Sequence, residues 1–128
     1  MSMNLSRKEF DRAVRKAIER IPEEFRVHLE NIIISVQDYP SREMIEEAGF
    51  AEDEGDTLLG LFRGDPLMDR SYTHPPLYPD TILIFQKPLE AMCEDMDELE
   101  EEIAITVIHE IAHYLGIDEE RLGELGYD

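Results

Sequence analysis

The alternation of apolar and polar positions along the chain predicts a long helix near each end and three short strands between them. Residues 6–25 carry apolar side chains three or four positions apart, which is typical of a helix with one buried face. These side chains are Phe10, Val14, Ala17, Ile18, Ile21 and Phe25. Ser6 and Glu9 have the spacing of a capping box at the start of this helix, and Pro22 is expected to end or bend it.

Short runs rich in β-branched and other apolar residues predict the three strands. The runs are residues 31–37, 57–62 and 80–86. A short helix is expected at residues 41–48, because Ser41 can cap its start and Gly49 its end. The remaining connections are an acidic turn, a long proline-rich loop and a connector with room for a helical turn, at residues 51–56, 64–79 and 88–96.

Residues 97–115 are predicted to form the longest helix, which Gly116 ends. Its apolar residues cover most of the circumference, which favours a central, buried helix. One polar stripe interrupts them within an arc of about 100°. The stripe consists of Glu102, Thr106, His109, Glu110 and His113. Buried polar groups need partners, and a divalent metal would satisfy both imidazoles at once.

His109, Glu110 and His113 form the pattern His-Glu-x-x-His. Two histidines four positions apart project from one face of a helix, so both imidazoles can reach the same metal ion. The glutamate beside the first histidine is placed to accept a proton from a metal-activated water. This spacing therefore predicts a metal site with a general base next to it.

A catalytic zinc site needs a third protein ligand and one position left for water. Gly116 ends the helix and allows a sharp turn, after which Asp118, Glu119 and Glu120 follow at once. A carboxylate from this turn can reach back toward the two imidazoles. From the residues alone, Asp118 and Glu119 are both candidates for the third ligand.

Composition narrows the classes of partner. The chain has 128 residues, and its 31 acidic against 12 basic residues give a net charge of −19. This argues against nucleic acid, whose phosphates are bound by clustered Lys and Arg. No segment approaches the ~18 apolar residues of a membrane span, and residues 1–25 lack the apolar core of an export signal. With Cys93 as the only cysteine, we expect a reducing cytoplasm. The sequence carries no signal for the oligomeric state.

A longer match extends the pentapeptide. Residues 109–127 read HEIAHYLGIDEERLGELGY, which resembles the compact zincin-like metallopeptidase family of bacteria. The pattern of that family is HExxHxxGxxD, followed by a leucine-containing helix and a Gly-Tyr pair. Further segments with the same resemblance are residues 58–62, 64–71, 79–82 and 87–90. The combination is more specific than HExxH alone and covers most of the chain.

The resemblance implies a ligand set and a base. His109 and His113 would hold one zinc ion, and Glu110 would be the general base. The position of the family's aspartate falls on Glu119 in this sequence. We therefore expect Glu119 to be the third ligand and keep Asp118 as the alternative.

The resemblance also implies a fold and a docking mode. We expect a single α+β domain over residues 1–128, in which a small mixed sheet packs against the central HExxH helix and an N-terminal helix. In such folds an edge strand just before the motif helix pairs with an extended peptide. The strand from Ile82 to Phe85 is in the corresponding place, so we expect a peptide or protein substrate to dock there.

Together these features predict a zinc metallopeptidase that hydrolyses peptide bonds through a metal-activated water. Tyr114, Tyr127 and Arg70 are candidates for stabilising the oxyanion. Two other functions remain open. One is a zincin-like metal-binding or regulatory protein without peptidase activity. The other is a non-haem iron site, because two histidines and a carboxylate also form the facial triad that binds iron.

Overall fold

The computed structural model of the chain describes residues 3–49, 58–64 and 80–126. Most of the predicted acidic turn and proline-rich loop lies outside these ranges. The helices and strands in chain order are α1 (Arg7–Arg20), α2 (Glu23–Arg26), a 3₁₀ helix (Val27–Asn31), β1 (Ile32–Gln37), α3 (Arg42–Glu47), β2 (Gly60–Arg63), β3 (Asp80–Phe85), α4 (Gln86–Met92), α5 (Met96–Leu115) and α6 (Glu119–Glu124). The expected α+β fold with a small sheet is confirmed.

The described strands form one mixed sheet in the order β1–β3–β2. β1 runs parallel to β3 and places Ile34 beside Ile82, whereas β2 runs antiparallel to β3 and places Phe62 beside Ile82. β3 is buried along almost its whole length. A central strand that is covered on both faces needs apolar residues in succession, which explains the run ILIF near its end.

β3 therefore offers no open edge to an incoming peptide. From Ile82 to Phe85, its residues pair with β1 on one side, while β2 and Leu59 pair with it on the other. The expectation that the strand from Ile82 to Phe85 is an edge strand is wrong, and strand addition would require unpaired main-chain groups that it lacks. Among the described strands, the outer strands are β1 and β2, and β2 packs against α5.

The N-terminal helix α1 begins as predicted and ends earlier. Ser6 Oγ accepts the main-chain N–H of Glu9, and the Glu9 carboxylate accepts the N–H of Ser6, both at 3.1 Å. The helix ends at Arg20 rather than continuing to residue 25. Ile21 is extended, since the ring of Pro22 disfavours helical geometry in the residue before it.

α5 is the central helix of the structure. Asp95 caps its start by accepting the N–H of Glu98 at 2.8 Å. The helix packs against α1 on one side and against β2 and β3 on another. Its most deeply buried side chains have no exposed surface; they are Leu99, Ile103, Val107, Ile111 and Ala112. None of the helices in the described part of the chain is long and apolar enough to cross a membrane.

The predicted connector at residues 88–96 is largely replaced by α4, which starts at Gln86 directly after β3. Pro88 lies in its first turn, where a missing N–H costs no helical hydrogen bond. The buried Glu90 carboxylate accepts the N–H of Leu5 at 2.8 Å and the side-chain amide of Gln86 at 3.1 Å. The first bond connects the N-terminal segment to α4, and the second lies within α4.

The burial of Ile103 at the middle of α5 gives a test of this core. Ile103→Ala should lower the free energy of unfolding by about 2–4 kcal/mol, because it removes three buried carbons and leaves a cavity. Glu101→Ala, an exposed position on the same helix, should change it by less than about 0.5 kcal/mol. Urea unfolding measures both. Equal effects at the two positions would contradict the packing described here.

Candidate metal and catalytic site

The polar stripe of α5 forms one wall of a cavity of about 520 Å³. All five predicted members of the stripe line it: Glu102, Thr106, His109, Glu110 and His113. The other lining residues are Ile105 of α5, Glu47 and Ala48 at the end of α3, residues 58–62 in and before β2, and Glu119 of α6. The stripe thus faces a concave space between the helix and the sheet.

Gly60 allows the main chain of β2 to approach α5 closely. A Cβ atom at this position would lie 2.6 Å from Cγ2 of Thr106 and 3.1 Å from the main-chain oxygen of Leu83. The first distance is shorter than side chains tolerate, so any larger residue would push the helix and the strand apart. A glycine inside an apolar strand marks such a close approach. The glycine at position 60 within an apolar run is therefore the feature of the sequence that indicates this contact.

Glu110 is buried and accepts a hydrogen bond from the main-chain N–H of Phe62 at 2.8 Å. This N–H lies on the side of β2 that faces away from β3. In an antiparallel pair only alternate residues bond across to the partner, and Phe85 donates to the carbonyl of Leu59. Phe62, three residues later, therefore has outward main-chain groups. Glu110 is thus held at the outer edge of β2.

His113 stands at the open end of the stripe, with its side chain 56% exposed. Its Nδ1 is 3.7 Å from Oε1 of Glu110, which is an ion-pair distance and too long for a hydrogen bond. The contact with Glu110 raises the pKa of His113, burial opposes the increase, and the charge of Glu119 adds to it. His109, one turn earlier, is partly buried in the same wall.

The turn after α5 separates the two candidate third ligands. Gly116 has a φ of 77°, in the left-handed region that glycine adopts without strain. Asp118 then caps α6, because its Oδ1 accepts the N–H of Arg121 at 2.8 Å. Glu119 is the first residue of α6 and lines the cavity with the two histidines. The geometry therefore favours Glu119 over Asp118 as a ligand.

The donor types suit zinc, although the side chains do not form a closed ligand shell. Within residues 3–49, 58–64 and 80–126, no three His, Cys, Asp or Glu side chains are placed so that they could hold a metal ion. Two imidazoles and one carboxylate are nevertheless a set that binds catalytic zinc and leaves a position for water. His109, His113 and Glu119 meet in one cavity, so the residues present fit the group by chemistry.

A family model described as zincin-like metallopeptidase matches residues 29–127. The match includes the whole sheet, α5 and the HExxH pattern. This chain belongs to the zincin-like metallopeptidase family. Zinc is the metal that membership implies. No curated protein matches this zincin-like chain.

The remaining predicted site residues separate into two groups. Arg70 and Tyr127, named for the oxyanion, lie outside the described residues. Tyr114 is buried, and its ring packs against Phe62 with 5.4 Å between ring centres. It is not among the residues that line the cavity. Sequence reasoning missed the Phe62 amide and Glu47, because pairing between distant segments brings both to the site.

The contact at Gly60 can be tested by a double-mutant cycle. Gly60→Ala should destabilise the protein by about 1–3 kcal/mol, since the new methyl overlaps Thr106. Thr106→Ser removes the opposing methyl and keeps the hydroxyl that donates to the carbonyl of Glu102 at 2.8 Å. The double variant should recover about 1 kcal/mol relative to additivity in urea unfolding. Purely additive effects would show that this contact is not the reason for the glycine.

Proposed function

We propose that this protein is a zinc-dependent metallopeptidase that hydrolyses peptide bonds of a peptide or protein substrate. The observation that carries the proposal is the position of Glu110. Oε1 of this buried carboxylate lies 3.7 Å from Nδ1 of His113, a proposed metal ligand. The same oxygen accepts the outward N–H of Phe62 in the outer strand β2 at 2.8 Å. This position supports a role for Glu110 as the base between a metal-activated water at the histidines and a peptide at β2.

His109, His113 and Glu119 would hold the metal. When bound, zinc supplies a Lewis acid that lowers the pKa of a water toward ~7 and polarises the scissile carbonyl. The two imidazoles must be neutral to bind it. Glu119 adds a negative charge that partly balances the ion. The proposed compartment is a reducing cytoplasm, since Cys93 is the only cysteine and the chain cannot form an internal disulfide.

Glu110 would act as the general base and then as the general acid. Its carboxylate accepts a proton from the attacking water and delivers that proton to the leaving amine. The N–H of Phe62 bonds Oε1, the same oxygen that faces His113, and limits rotation of the carboxylate. A base that is already oriented loses little conformational entropy at the moment of reaction.

The peptide would dock along the outer edge of β2 rather than on β3. The main-chain groups of Gly60 and the carbonyl of Phe62 face outward there, whereas the Phe62 N–H is donated to Glu110. Both residues line the cavity that contains the histidines. Strand addition uses such groups for affinity and leaves side-chain pockets to set specificity.

A metal-binding protein without peptidase activity is the second candidate. The observation in its favour is that no three potential ligands among the described residues stand in a metal-holding arrangement. In that case a metal held by these residues would have a structural or regulatory role. The two candidates differ in whether the zinc-loaded protein cleaves peptide bonds, and the first also requires that cleavage depends on Glu110.

Replacing the proposed base separates them. Glu110→Gln should lower kcat by about 10³-fold on a peptide that the unmodified protein cleaves, because glutamine cannot accept the proton. Zinc content, measured by elemental analysis of the purified protein, should remain near that of the unmodified protein. Glu101→Gln, an exposed glutamate on the same helix, is the matched control and should retain activity. Stoichiometric zinc without cleavage in the unmodified protein would favour the second candidate.

The third ligand is tested by two adjacent substitutions. Glu119→Ala should weaken zinc binding at least about 100-fold in competition with a chromophoric chelator, since a direct ligand is lost. Asp118→Ala removes the cap of α6 and should cost about 1 kcal/mol of stability, with zinc affinity within about threefold of the original. A larger loss of zinc affinity in Asp118→Ala than in Glu119→Ala would reverse the assignment.

A further inference from the structure

Glu102 is a member of the polar stripe that the proposed mechanism does not use. It lies seven residues before His109, which is two helical turns on the same face of α5. Its side chain is partly buried and lines the cavity that contains the histidines. The cavity therefore continues from the proposed metal site to a carboxylate about 10 Å farther along the helix.

No cation neutralises this carboxylate within residues 3–49, 58–64 and 80–126. The hydroxyl of Thr106 donates to the main-chain carbonyl of Glu102, not to its side chain. Glu47, on the opposite wall, differs because both of its oxygens are bound by Arg63, at 3.0 and 3.2 Å. The described lining contains no lysine or arginine. Glu102 thus gives this end of the cavity a negative charge that has no counter-ion among the described residues.

The surroundings of Glu102 make a cation favourable there. Burial raises the pKa of the Glu102 carboxyl, and the neighbouring charges of Glu101 and Glu98 raise it further. Both effects disfavour the ionised form of Glu102. A positive group entering the cavity would relieve both effects, since it restores favourable electrostatics to a partly desolvated carboxylate.

The register of β2 and α5 indicates which part of a peptide reaches Glu102. Gly60 approaches Thr106, and Phe62 bonds to Glu110, so the strand and the helix run side by side in the same direction. A peptide that pairs antiparallel to β2, the more stable arrangement, therefore extends its C-terminal part toward Glu102. Three extended residues span about 10 Å, which equals the rise of two helical turns.

We infer that Glu102 selects substrates with a lysine or arginine two to four residues on the C-terminal side of the cleaved bond. The inference rests on the proposed function for the position of that bond. The ligand of this end of the cavity would be a cationic peptide segment. The overall acidity of the chain would assist the approach of such peptides but would not set the position of the basic residue.

Binding tests this inference without requiring turnover. The probe is a fluorescein-labelled nonapeptide library in which one position at a time is lysine, norleucine or glutamate, presented to the zinc-loaded full chain carrying Glu110→Gln. Fluorescence anisotropy should show five- to tenfold tighter binding of lysine over norleucine at one position, as for a partly desolvated ion pair. Adding Glu102→Gln should reduce that ratio to about one, and Glu102→Lys should make glutamate the preferred residue.

Glu101→Gln in the same background is the matched control, because it removes an equal charge from the exposed face of α5 and should keep the lysine preference. Thermal unfolding of each variant confirms that the fold is retained. The inference is overturned if lysine and norleucine bind equally before Glu102 is changed, if the preference survives Glu102→Gln, if Glu101→Gln abolishes it equally, or if no peptide binds.

Cleavage by the unmodified protein separates this inference from the proposed function. Mass spectrometry of the cleaved library should place the basic residue on the C-terminal side of the new terminus. Cleavage without a basic preference would overturn the role of Glu102 and leave the peptidase proposal standing. A Glu102-dependent binding preference without any cleavage would overturn the peptidase proposal and leave the role of Glu102 in peptide binding standing.

Discussion

The hydrogen bond from the Phe62 amide to the Glu110 carboxylate is the interaction on which the rest of the site depends. It joins the central helix to the outer strand of the sheet at 2.8 Å. Burying a carboxylate without a hydrogen-bond donor would cost free energy, and the N–H of Phe62 in β2 supplies that donor. This hydrogen bond requires β2 to lie close to α5. Gly60 permits the close approach because it has no side chain that would overlap Thr106.

The apolar core determines where this contact forms. α5 is packed by α1 on one side and by the sheet on another, and its rotation about its axis is set by side chains such as Ile103 and Val107 that have no exposed surface. A helix held in this way cannot turn its polar stripe into solvent without exposing those side chains. The energetic cost of that exposure, about 1.5–3 kcal/mol for each large apolar side chain, keeps the stripe at the cavity.

Local patterns in the sequence predict local features well and the arrangement of the sheet poorly. The capping box at Ser6, the break at Pro22 and the polar stripe of α5 each depend on residues within a few positions of one another, and the structure contains all three. The order of the strands depends on which distant segments pair. Family analogy predicts an edge position for the strand from Ile82 to Phe85, but the structure places this strand in the centre of the sheet. Its unbroken apolar run is typical of a strand covered on both faces. The Phe62 amide has no signature in sequence, because every residue except proline carries the same group.

Asp118 and Glu119 show how two adjacent carboxylates acquire different roles from the main chain. Gly116 ends α5 in the left-handed conformation, and the residue that caps α6 is then extended, with its short side chain folded back onto the first turn. Asp118 meets this requirement, because aspartate is among the best capping residues and its oxygen reaches the N–H of Arg121. The next residue is already helical, so its longer side chain projects away from the cap and lines the cavity. The capping role of Asp118 therefore leaves Glu119 as the carboxylate of this pair that lines the cavity, in the place where the family pattern has aspartate.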